Sequence, residues 1–208
     1  PTESGFKATL PLIGSRGKRS YRDGDLLEII IELDADRDLY LQDHQLDGKP
    51  VFPMAMALEL MAEALHQRWP DYSLATVKNM QVLQGIVLEN DAKLIRVMVR
   101  PGLEASPDGI SAELVIESLD ASNRAHYRAT AELTKRRIST NGQRMPLWLP
   151  GEAQPFPKTI EDAYSQWLFQ GPCFQGIRSI ECVNTEGIIA SLEPSLPADL
   201  LADASEAS

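Results

Sequence analysis

Residues Pro53 to about Trp69 constrain this chain more than any other stretch. Proline suits the first position of a helix, where its missing N–H would have had no partner. Met54 through Leu65 are then nearly all strong helix formers. The polar members, Glu59, Glu63, His66 and Gln67, collect on one narrow stripe, and the rest is apolar. A helix that is apolar around most of its circumference has to be enclosed by other elements. Pro70 stops it.

The material that encloses it reads as strand. Leu26 to Leu33 is rich in β-branched residues. Lys7 to Ile13 reads as a short strand ending near Gly14, and Leu39 to Gln42 as extended chain leading to His44. After the helix come strand candidates at about Thr76 to Leu88, Lys93 to Arg100, Ile110 to Leu119 and Arg124 to Lys135. Their breaks carry turn residues: Glu89-Asn90-Asp91, Pro101-Gly102 through Pro107-Asp108-Gly109, and Asp120-Ala121-Ser122-Asn123. Strands, one buried helix and then a run of antiparallel strands describe an α+β fold in which a curved sheet wraps a single helix, the hot-dog fold. Residues 1–138 complete one such unit. Residues 139–158, with Asn141-Gly142, Pro146, Pro150, Gly151, Pro155 and Pro157, read as a linker. Residues 159–208 open a second unit that is not complete. It has a short helix at Ile160 to Leu168 with Thr159 as N-cap, then strands at Gly176 to Val183 and Gly187 to Leu192.

A net charge of −10 argues against nucleic acid as a partner, because phosphate binding calls for a basic surface. The clusters Arg16, Lys18, Arg19, Arg22 and Lys135, Arg136, Arg137 read as solvated charge or as a docking patch for an acidic partner. No apolar run approaches the length that spans a bilayer, so no membrane partner is expected. Cys173 and Cys182 form neither a C-x-x-C nor a Cys/His cluster, which argues against zinc or another metal. A reducing cytoplasm is the default compartment. The first residues lack the basic start and apolar core of a signal peptide. The absence of an initiator Met is expected of a piece excised from something longer.

His44 is the residue with most chemical promise. A lone histidine is usually structural, but this one lies between a strand and the start of a buried helix. A helix N-terminus offers free N–H groups and a positive dipole end to a polarised carbonyl oxygen. Imidazole titrates near neutrality, as a general base requires, and Gly48 would let the backbone approach a ligand. Among the other histidines, His66 reads as solvent-facing near the helix end and His126 as structural in a strand. Cys173 reads as a small wall residue, not a nucleophile, since no base is implied beside it.

His44, Gly48 and Pro53 form H-x-x-x-G-x-x-x-x-P, which resembles the N-terminal active-site motif of polyketide synthase dehydratase domains. Leu58 to Ala64 resembles the family's central helix. Gly171-Pro172-Cys173-Phe174-Gln175-Gly176 resembles the G-P-x-F-Q-G segment that opens its second half. The likeness runs from about residue 8 to 200 and is nearest to iterative synthases of the enediyne or polyunsaturated-fatty-acid type.

The resemblance implies a double hot dog that removes water from a 3-hydroxyacyl thioester carried on acyl carrier protein. His44 would take the α-proton, the Gly48 N–H would bind the thioester carbonyl, and Pro53 would set the helix start. Phe52, Gly171, Pro172 and Phe174 would line the substrate site. No cofactor is implied beyond the phosphopantetheine tether of the carrier. The implied partners are that carrier and other synthase domains, and a homodimer is one assembly it admits. The second catalyst of the family is an aspartate in Asp-x-x-x-Gln/His. That spacing does not occur in the tail that follows the second motif: Asp199 precedes Asp203 by four and Asp203 precedes Ala207 by four. The 208-residue chain alone is therefore expected to have little activity. Met54 stands where the pattern has glycine, and Gln170 where tyrosine often precedes Gly-Pro. A non-catalytic thioester-binding or scaffold domain is the main alternative. A product-template-like cyclase shares the His/Gly/Pro spacing, and hot-dog thioesterases generally lack it.

Overall fold

The structure is a computed structural model that describes residues 10–14, 16–22, 25–89, 92–106, 109–120, 122–135 and 152–203. The chain divides into two units: Pro1–Asp34 with Phe52–Ile138, and Ala35–Val51 with Ser139–Ser208. The segment holding His44 thus clusters with the C-terminal residues and not with the sheet that flanks it in sequence.

In chain order the first strands are β1 (Lys18–Arg22) and β2 (Leu26–Asp34). Two short strands of the second unit follow, β3 (Gln45–Leu46) and β4 (Lys49–Pro50). Then come helix α1 (Met54–Arg68) and strands β5 (Ser73–Val82), β6 (Ala92–Ser106), β7 (Gly109–Ser118) and β8 (Ala125–Thr134). Among its described residues the first unit is therefore one helix and one antiparallel sheet, in the spatial order β1-β2-β6-β7-β8-β5.

Period-2 alternation sets the inner face. Leu27, Ile29, Ile31 and Leu33 of β2 are buried, as are Ile95, Val97 and Val99 of β6 and Leu114 and Ile116 of β7. Helix α1 packs on β5 and β6 and buries Ala57, Leu60, Met61, Ala64 and Leu65. Truncating a fully buried leucine such as Leu60 to alanine typically costs about 2–5 kcal/mol.

On the other face, buried Glu28 meets Arg22 Nε at 2.9 Å and Arg96 Nη1 at 3.5 Å, and Arg96 Nη2 meets Glu117 at 2.7 Å. A buried carboxylate persists only when paired in this way. Edge strand β1 is exposed throughout, and its cations Lys18, Arg19 and Arg22 discourage pairing with another strand.

In the second unit, β3 and β4 are joined by Asp47 and Gly48 at φ 51° and 73°, the two positive values of a type I′ hairpin turn. Helix α2 (Ile160–Gln166) starts at Thr159, whose Oγ1 accepts the Asp162 N–H at 3.0 Å. Strands β9 (Ile177–Val183) and β10 (Ile188–Leu192) form an antiparallel pair, and α3 (Pro197–Leu200) follows.

Several local expectations are corrected. Leu10–Gly14, the described part of the expected strand from Lys7, is a turn, because the Gly14 N–H bonds back to Leu10 O and the Leu12 and Ile13 amides go to Glu63. Leu39–Leu41 is a 3-10 helix, not extended chain, with Leu41 and Gln42 donating to Asp38 and Leu39 carbonyls. Strand β5 ends at Val82, where Leu83 and Gln84 turn their N–H groups to His126 O. Strand β6 runs through Pro101-Gly102 by means of a register shift that absorbs the missing proline N–H. Pro53 is the N-cap, one position before the helix proper. Glu63, assigned to the polar stripe, is buried. Most of the expected linker, 139–151, and the basic pair Arg136-Arg137 lie outside the described residues.

Candidate active site

The chain around His44 is shaped by a tight hairpin. Val51 N–H donates to His44 O at 2.9 Å, closing the loop that β3, the Asp47-Gly48 turn and β4 complete. The imidazole returns to the same residue, with Nδ1 2.7 Å from Val51 O. A carbonyl oxygen only accepts, so Nδ1 carries the proton and the lone pair of the neutral ring sits on Nε2. The backbone alone thus fixes the tautomer. A Cβ at Gly48 would meet nothing within 4 Å, so Gly48 is required by its positive φ and not by crowding.

The second motif gathers on the same loop. Gly171 N–H donates to Asp43 O at 2.7 Å, and Cys173 N–H donates to Asp43 Oδ2 at 2.7 Å. The Phe169 and Phe174 rings lie edge-on to the His44 imidazole, with centroids at 5.0 and 5.8 Å. A 3-10 turn over Pro172–Phe174 gives this segment its bend. Pro172 also borders a surface hollow of about 570 Å³ with Tyr164, Gln175 and Arg178.

The structure therefore brings together His44, Gly171 and Phe174 within the second unit. Gly48 lies at the exposed tip of the hairpin that follows His44. Phe52 and Pro53 belong to the first unit. There the Phe52 N–H donates to Ile86 O at 2.9 Å and its carbonyl accepts the Tyr127 hydroxyl at 2.7 Å. The N-cap Pro53 has no side-chain acceptor for the first N–H groups of α1.

Burial pushes the Cys173 thiol up to about 11, and the Asp43 and Asp199 carboxylates add to the rise. It stays protonated near neutral pH, so it is a poor nucleophile. The Asp199 carboxylate accepts the Leu196 N–H at 3.0 Å and so caps its own short helix. His126 is a buried β8 residue with Nδ1 3.0 Å from Gln84 O, and His66 lies in the last turn of α1. Among the described residues no group of three His, Cys, Asp or Glu could hold a metal ion.

Two participants escaped the sequence reading. Asp43 finds its backbone partner 130 residues away, a pairing no local pattern announces. Phe169 has no periodic context. The hairpin was also not foreseen, although Asp-Gly between short extended runs is itself a turn signal.

The family model for the polyketide synthase dehydratase domain matches residues 11–114. A polyunsaturated fatty acid synthase polypeptide of Thraustochytrium sp. is 22% identical over 161 residues, which cover 76% of this chain and 6% of that relative. The chain thus spans only a small part of that much longer protein. Among solved structures, the dehydratase domain from the CurF module of curacin polyketide synthase superposes with a TM-score of 0.68. It is 21% identical, with 95% of this chain and 70% of that one covered. The CurK dehydratase of the curacin synthase was solved as inactive His-to-Phe and Asp-to-Asn mutants. They match with TM-scores of 0.57 and 0.58, 21% identity, and coverage of 83% of this chain and 60% of theirs. These neighbours share the hot-dog fold that the sheet and α1 display.

Proposed function

This chain belongs to the polyketide synthase dehydratase domain family, and from that premise we propose that it carries the proton-abstracting part of a dehydratase acting on 3-hydroxyacyl thioesters. The observation that carries the reading is the held imidazole. Val51 O keeps the Nδ1 proton, Phe169 and Phe174 flank the ring, and Nε2 is left as the basic atom.

In the proposed reaction Nε2 removes the proton from C2 of the substrate. The C–H pair becomes the C2–C3 double bond, the C3–O bond breaks, and the oxygen leaves as water once a general acid has protonated it. The product is a trans-2-enoyl thioester. The Gly48 N–H is the proposed donor to the thioester carbonyl, which gathers charge as C2 loses its proton. Phe174, Pro172 and Gly171 are the proposed contacts for the acyl group, with Phe52 and Pro53 setting the start of α1. The proposed acid is an aspartate, consistent with the inactive His-to-Phe and Asp-to-Asn mutants of CurK. No step calls for a cofactor; the substrate would arrive on the phosphopantetheine arm of an acyl carrier protein. The other proposed partners are neighbouring domains of a multidomain synthase in the cytoplasm, with a homodimer as the assembly to test. Among the described residues no helix is long and apolar enough to cross a membrane.

No Asp-x-x-x-Gln/His spacing lies between Gly176 and Ser208, and this favours one second reading, a thioester-binding scaffold without turnover. One experiment separates the two. In the intact synthase, His44→Ala should lower dehydration of a 3-hydroxyacyl carrier substrate by about 10²- to 10⁴-fold, the usual loss with a positioned base. Unchanged turnover in the variant defeats the dehydratase assignment. Thioester binding without turnover in the unmodified protein establishes the scaffold.

A further inference from the structure

Asp43 sits next to His44 in sequence, yet it reaches away from the imidazole to the second motif. Its carbonyl takes the Gly171 N–H and its carboxylate takes the Cys173 N–H, both at 2.7 Å. The approach is so close that a Cβ on Gly171 would lie 2.7 Å from Asp43 Cγ and 2.9 Å from Asp43 Cβ, and closer still to Oδ1. Real side chains do not tolerate such contacts, so residue 171 must be glycine for Asp43 to be gripped. The gripped segment also presents Phe169 and Phe174, the two rings against His44.

We infer that Asp43 is a positioning residue: it anchors 169–174 so that Phe169 and Phe174 fix the plane of the His44 imidazole. The carboxylate acts here as a hydrogen-bond acceptor and not through its charge. The Val51 bond sets which nitrogen is basic, while the two rings set where that nitrogen is aimed. An aim that drifts by about 1 Å can cost on the order of 10²-fold in rate. The kinetic consequences rest on the dehydratase reading; the clamp itself does not.

The test is a series of variants in the intact synthase, assayed for dehydration and by NMR of the His44 ring. Asp43→Ala should lower kcat by about 10- to 100-fold with KM changed by less than about 3-fold, the pattern of a misplaced catalytic group. Asp43→Asn keeps an oxygen for the Cys173 N–H and should stay within about 3-fold of the unmodified protein. Gly171→Ala should resemble Asp43→Ala. The double variant should be no worse than the worse single one, because both changes release the same grip. The His44 ring signals should shift or broaden in Asp43→Ala and stay in place in Asp43→Asn.

Loss in Asp43→Asn as deep as in Asp43→Ala would show that charge matters and overturn the clamp. Additive losses in the double variant would overturn it too. If the unmodified protein does not dehydrate the substrate, the functional reading fails, and the ring signals still decide the clamp. If His44→Ala abolishes turnover while the Asp43 and Gly171 series leaves both turnover and ring signals unchanged, only the clamp fails.

Discussion

Glu63 shows how much a single residue can be misjudged from its neighbours in sequence. It shares a helical stripe with Glu59, His66 and Gln67, yet only 3% of its surface is exposed. Its two oxygens accept the N–H groups of Leu12 and Ile13 at 2.9 and 2.7 Å. Burial pushes its carboxyl up to about 7; the two N–H donors and Arg16 oppose the rise, and Glu59 adds to it. Because the folded value lies above the unfolded one, the associated stability is complete below about pH 4.5. It is lost as pH rises through about 7. Between those limits the unmodified protein should lose up to about 3 kcal/mol relative to Glu63→Gln, whose neutral amide does not titrate. Urea unfolding of both proteins across that range checks this. Parallel pH curves would show that Glu63 ionises as freely in the folded protein as in the unfolded one. Nothing in the stripe could have revealed this, since the partners come from a turn 50 residues earlier.

Among the elements, helix α1 was the most legible and its beginning the least. The composition of Met54–Leu65 predicts a buried helix, and 15 residues from Met54 to Arg68 form it. The entry to that helix has no side-chain cap, because proline at the N-cap offers no acceptor. The preceding residue is tethered instead: Phe52 N–H to Ile86 O, and Phe52 O from the Tyr127 hydroxyl of β8. The Tyr127 and Phe52 rings also meet edge to face at 6.1 Å. Removing the hydroxyl leaves a buried carbonyl one bond short. Tyr127→Phe should therefore cost about 1–3 kcal/mol of stability while retaining the ring packing. A midpoint within experimental scatter of the unmodified protein in chemical denaturation would show that Phe52 O has another partner. The β-strands were legible where apolar residues alternate, as in β2 and β7. They were misjudged at ends decided by tertiary partners: β5 stops where His126 O captures two amides, and β6 passes through a Pro-Gly that reads locally as a turn.

At the scale of the whole molecule, the distribution of order should follow from how much apolar surface each unit buries. Among its described residues the first unit has six strands hydrogen-bonded in one sheet over a buried helix. In the second unit, β9 pairs only with β10 among the described strands, and a two-stranded sheet is marginal in water. Ile188 and Leu192 of β10 and Leu196 beyond it are 53%, 71% and 64% exposed. Both halves of the site motif nevertheless depend on this unit, since His44 and Gly171–Phe174 lie within it. The sequence announced each motif but not their joining, because α1 and strands β5 to β8 lie between Asp43 and its partners in chain order. Regions with few buried contacts open at lower free energy than core strands. Amides of β9 and β10 should thus exchange with solvent deuterium far faster than those of β6, β7 and β8, by about tenfold for each 1.4 kcal/mol of difference in opening energy. The amides of Gly171 and Cys173 should be protected beyond their neighbours, because they are held by Asp43 and not by the β9–β10 pair. Uniform protection across β6 to β10 would mean that the second unit shares the stability of the first, and would remove the reason for placing the site on the less stable part of the chain.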